Sequence, residues 1–214
     1  MLSLGAAYFS ARAYLASGSK ALLFLGSGAL AYGLGPLGAW FLVLPGGTNI
    51  AITFSNTQFL VASILSFAGV IFVSTAATEQ IRSVKPKPVY LLYLGILVFA
   101  TSLAVAGVQG VLPLFFVPGV GGTPLRSGVL MVSVALFAVS CVGLIRLYFV
   151  SKSDIVYWYG LALGLISVGL TAYLLQRAVG GPIGWTGQLS QYTGCVCFLI
   201  AMLTATRATG ARLR

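Results

Sequence analysis

The sequence predicts an all-α fold, a polytopic bundle of transmembrane helices, on three observations. Of its 214 residues 59% are hydrophobic and 7% charged, and the mean hydropathy is +1.04. The apolar residues also gather into six runs long enough to cross a bilayer, separated by turn-forming or charged segments. A soluble domain keeps about a quarter of its residues charged to cover its surface, and a membrane span needs about 20 apolar residues. The expected solvent is therefore lipid.

The first run is Lys20 to Leu44, ended by Pro45-Gly46-Gly47, and the second extends from about Ile52 to Ala77. Between Thr78 and Pro88, Glu79, Arg82, Lys85 and Lys87 with two prolines read as a loop in water. A third run follows from Val89 to Val111. Leu112 to Leu125 contains Pro113, Pro118, Pro124, Gly119, Gly121 and Gly122 and is no regular helix, but Leu114 to Val117 make it apolar. It is expected to fold back onto the membrane surface. The remaining runs are Ser127 to Val150, Ile155 to Gln176 and about Gly187 to Thr206.

Leu2 to Ser17 is apolar but short and contains Arg12. It reads as a tilted seventh span or an interfacial helix, the span being preferred. No basic residues precede its apolar part, which argues against a signal peptide. The chain divides into one transmembrane domain, 1–206, and a short basic tail, 207–214.

The net charge of +10 does not form a patch interleaved with exposed aromatics, so nucleic acid is not an expected partner. With the Thr78 to Pro88 loop inside, Lys20, Arg146, Lys152, Arg207, Arg212 and Arg214 fall on the same side, and only Arg126 and Arg177 fall outside. This asymmetry predicts a cytoplasmic C-terminus. Tyr90, Tyr93, Tyr148, Tyr157, Trp158 and Tyr159 mark inner helix ends, and Trp40 and Trp185 outer ones, as interfacial anchors do.

The chain has no histidine, and its two acids, Glu79 and Asp154, lie at or beyond inner helix ends. Pumps and ion transporters keep ionisable groups within the membrane, so that class is disfavoured. Cys141, Cys195 and Cys197 sit in apolar runs, and two residues of separation points the last pair to different helix faces. No nucleotide motif, metal-ligand spacing or nucleophile-base pair is present. The expectation is a chain without catalytic residues, metal or cofactor.

Neutral polar side chains supply the candidate ligand contacts. Ser55, Asn56, Gln58, Gln109, Gln176, Gln188, Ser190 and Gln191 all lie toward the outer side. Converging amides can hydrogen-bond a small ligand such as a lipid headgroup, quinone or peptide, although they equally serve as interhelical glue. The candidate ligand-binding set is Asn56, Gln58, Arg126, Trp185, Gln188, Gln191 and Tyr192. Small residues at Gly26, Gly28, Gly33, Gly35, Gly160 and Gly164 allow close helix approach, within the chain or across a homodimer.

Four stretches, Ala13 to Gly35, Thr48 to Val70, Leu112 to Arg126 and Gly181 to Ala201, together resemble the MASE-like seven-helix membrane region that precedes PAS and histidine-kinase modules in bacterial and archaeal sensors. The loop Phe-Val-x-Gly-x-Gly-Gly-Thr-Pro-Leu-Arg and the helix start Gly-Trp-x-Gly-x-x-x-Gln-Tyr-x-Gly carry most of the likeness. Asn49, Asn56, Gly121, Gly122, Thr123, Pro124, Arg126, Trp185, Gln191 and Tyr192 would hold the shared pattern. Ser55 stands where relatives often have histidine, which weakens a metal- or pH-sensing role.

The resemblance implies a non-catalytic signal-input domain of a prokaryotic cell membrane, feeding a cytoplasmic signalling partner. The sequence ends at Arg214 without a PAS or kinase module, so it is expected to be part of a longer sensor or a stand-alone relative. An accessory subunit scaffolding a larger membrane complex is the alternative. The sensor reading requires a polar pocket between the Leu112 to Arg126 loop and the Gln188 to Tyr192 helix start.

Overall fold

The computed structural model describes residues 1–75, 87–117, 120–175 and 181–210. Among them are seven helices: α1 Leu2–Ser17, α2 Lys20–Pro45, α3 Gly47–Thr75, α4 Lys87–Val108, α5 Pro124–Ser151, α6 Asp154–Leu175 and α7 Pro182–Ala208. All but α1 are long and apolar enough to cross a membrane, so the chain is a multi-pass helical membrane protein. Most of the charged loop before Lys87, together with Gln176, Arg177 and the last four residues, lies outside the described residues.

The helices alternate in direction. α2 and α3 form a hairpin that reverses at Gly47, whose φ of 72° is the left-handed conformation that a side chain disfavours. The seam then closes on glycine: Cβ positions built at Gly38, Gly35, Gly28 and Gly69 meet Phe54, Phe59, Ser66 and Leu25 in turn. Between lipid-soluble surfaces no hydrophobic force drives association, so such close backbone approach and its dispersion energy hold helices together.

Burial ranks the helices. The apolar window of α2 is 72% buried, against 17% for α4, which makes α2 the central helix and α4 a peripheral one. α1 packs on α2 and α7, and α5, α6 and α7 pack in succession. Tyr93 ties α4 to α1 by donating its hydroxyl to the Ala7 carbonyl at 2.8 Å. At 16 residues, α1 is about 24 Å long, shorter than the roughly 30 Å hydrocarbon core.

Three helices begin a turn or so earlier than their apolar runs suggest. α5 starts on Pro124 and α7 on Pro182, each at the first helical position, where a fixed φ suits the helix and the missing N–H costs nothing. α3 starts at Gly47 and takes in the polar Thr48 and Asn49. The apolar loop after α4 forms a small antiparallel hairpin, β1 Phe116–Val117 and β2 Gly121–Gly122. Of the described Lys and Arg, only Arg126 lies at the hairpin end; Arg12, Lys20, Lys87, Arg146, Lys152 and Arg207 lie toward the other, basic end.

Candidate functional site

The hairpin end contains a cavity of about 570 Å³, within the roughly 300–1,000 Å³ of small-molecule sites. Pro36, Ala39, Trp40 and Val43 of α2 form one wall and Thr48, Ala51, Ile52, Ser55, Asn56 and Phe59 of α3 the next. Arg126 of α5, Tyr173 of α6, and Gly184, Trp185 and Gln188 of α7 complete it. Trp40 and Trp185, on α2 and α7, are the exposed aromatic side chains of this wall. Most of the wall is apolar.

Two polar groups are left without partners there. Asn56 is only 4% exposed, and its Nδ2 makes no hydrogen bond among the described residues. The half-buried Arg126 has an Nε in the same condition. Asp154, the one acid among the described residues, is at the basic end. Arg126 also sits in the first turn of α5, where the helix's own partial charge is positive. A cation there has no acidic counter-charge beside it among the described residues.

The hairpin places this arginine. Asn49 Oδ1 accepts hydrogen bonds from the Phe115 and Phe116 amides at 2.9 and 2.8 Å, stapling the loop to α3. Thr123 caps α5, its Oγ1 accepting from the Arg126 amide at 3.4 Å and donating to the Leu114 carbonyl at 2.9 Å. Gly122 lies beneath the guanidinium, since a Cβ there would come 2.7 Å from Nη1. Asn49→Ala is expected to cut hydrogen-exchange protection of the two phenylalanine amides about tenfold, on the order of 1 kcal/mol. Exchange measured by mass spectrometry checks this.

The structure brings Asn56, Arg126, Trp185 and Gln188 together around the cavity. Gln58, Gln191 and Tyr192 do not line it. Gln58 is fully buried with both amide atoms unpartnered and packs against Gly35. Gln191 lies behind the wall, where its Oε1 accepts from the Tyr32 hydroxyl at 2.7 Å. Tyr192 points outward and is 63% exposed. Among the described residues of the loop Leu112 to Arg126, only Arg126 reaches the cavity.

Below the cavity an aromatic column runs toward the basic end. Phe59 stacks on Tyr32 with ring centroids 5.1 Å apart, Tyr32 meets Phe198 edge-on at 6.2 Å, and Phe198 contacts Tyr159 at 4.7 Å. Tyr159 donates to the Leu25 carbonyl at 2.8 Å. The column joins α3, α2, α7 and α6 through rings that are almost wholly buried.

Among the described residues no group of histidine, cysteine or acidic side chains is arranged to hold a metal. Comparison with family models, with curated proteins and with solved structures returns no match for this chain.

Proposed function

We propose that this chain is a non-catalytic signal-input domain of a prokaryotic cell membrane, with the hairpin end outside and the C-terminus in the cytoplasm. A ligand occupies the cavity and shifts the helices, changing what the basic end presents to a cytoplasmic partner. The observation that carries this reading is the cavity itself, lined by a hairpin-positioned arginine and the start of the last helix, with two polar groups unsatisfied. The concentration of Lys and Arg at the other end supports the orientation. The likeness to sensor input regions supports the class.

Signalling requires two states that the ligand binds unequally, and helix shifts of about 1–2 Å are the usual scale. Trp158, beside Tyr157 near the basic end, is a native reporter once Trp40 and Trp185 are changed to Phe. In that background, filling the cavity by Ala51→Phe is expected to change Trp158 emission and its quenching by iodide. Identical spectra would separate the cavity from the basic end and defeat the sensor reading. A fixed set of co-purifying membrane subunits would instead favour a scaffold.

A further inference from the structure

We infer that the cavity takes an anionic amphiphile, a single aliphatic chain carrying a carboxylate or phosphate head, with the head held by Arg126 and Asn56. This rests on the cavity being a ligand site, as proposed above, and adds the chemistry of what enters it.

The two groups left unpaired in the cavity wall among the described residues, Asn56 Nδ2 and Arg126 Nε, are both donors, so the missing partner is an acceptor. Arg126 is a fixed cation at the positive end of a helix with no acid nearby among the described residues, so the missing partner is also negative. A half-buried cation without a counter-ion is costly, and a guanidinium matches the paired oxygens of a carboxylate or phosphate. A neutral quinone or sterol would satisfy the acceptor requirement and leave the charge unanswered.

The rest of the wall specifies the tail. Pro36, Val43, Ala51, Ile52 and Phe59 offer apolar surface, which a free inorganic anion would leave empty. Exposed Trp40 and Trp185 on the same wall are of the residue type that settles at the lipid–water boundary, the depth at which an amphiphile's head lies.

The test uses the full chain in phosphatidylcholine nanodiscs with Trp158→Phe, so that Trp40 and Trp185 report. Dibrominated stearate, whose bromines quench tryptophan, is expected to quench saturably. The corresponding methyl ester and the Arg126→Gln variant are each expected to weaken this at least about tenfold, the scale of one charge-assisted hydrogen bond. Asn56→Leu is expected to weaken binding and to raise, not lower, the melting temperature of the empty protein, because it removes an unsatisfied buried amide. Competition by an anionic phospholipid would identify a membrane lipid as the source, and its absence a free acid; both uphold the class.

Saturable quenching by acid and ester alike, unaffected by Arg126→Gln, would overturn the anionic class while leaving a ligand site in place. Quenching that never saturates would overturn the inference altogether, and displacement of the stearate by inorganic phosphate alone would replace the amphiphile with a simple anion site. Destabilisation by Asn56→Leu would make that amide a structural contact and remove it from the site.

Discussion

Gly169→Val is expected to destabilise the bundle by about 1–3 kcal/mol, the usual cost of overpacking, and to be among its most damaging single changes. A Cβ at Gly169 would come 2.7 Å from the Gly187 carbonyl oxygen, and one at Gly187 would come 3.0 Å from the Gly169 oxygen. Both obstacles are backbone, which has no rotamer to yield, so α6 and α7 must separate. That Cβ would also meet Gln191, the acceptor for Tyr32, and the disturbance would reach the back of the cavity. Gly95→Val on α4 is the control, since nothing lies within 4 Å of a Cβ there. Thermal denaturation in detergent checks both. Equal melting of the two variants would mean that the α6–α7 seam is not closely packed.

These close glycine contacts explain what the sequence reveals about the fold and what it conceals. The apolar runs predict helices at nearly every place they occur, because length and hydropathy alone determine which segments suit lipid. Their starts are less legible. Pro124, Pro182 and Gly47 read as breakers yet begin helices, since a residue that interrupts a helix interior is favourable at its first turn. The hairpin after α4 depends on Asn49, 66 residues from Phe115, and no local pattern announces such a contact.

The cavity is legible in its polar members and illegible in its apolar ones. Arg126 stands out because it and Arg177 are the two cations that the sequence places on the outer side, and Trp185 and Gln188 lie at the start of the last helix where amides gather. Asn56 and Gln58 are neighbours in the polar cluster but differ by about 200° around a helix. They cannot serve one site from one rotation of α3, and the structure selects Asn56. Pro36, Val43 and Ala51 carry no mark in the sequence, because an apolar residue facing lipid and one facing a cavity are chemically alike. The aromatic column is equally hidden: Tyr32, Phe59, Tyr159 and Phe198 belong to four helices and meet only through tertiary packing.

Phe198→Ala is expected to cost about 2–3 kcal/mol and to disconnect the cavity from the basic end. Phe198 is fully buried, and its ring is the link between Tyr32 and Tyr159. In water-soluble cores, removing such a ring costs about 3–5 kcal/mol, part for lost burial and part for the void. In lipid the burial part shrinks, because the unfolded helices already lie in an apolar solvent, while the void still forfeits dispersion contacts. The functional consequence separates this change from simple destabilisation. Phe198→Leu fills more of the space but lacks a ring to contact Tyr159, so it is expected to melt closer to the wild type. With Trp158 as reporter and Ala51→Phe filling the cavity, the wild-type column is expected to transmit a spectral change that Phe198→Ala and Phe198→Leu both suppress. If the leucine variant transmits as well as phenylalanine, the column is packing alone, and the helices move as rigid bodies without it.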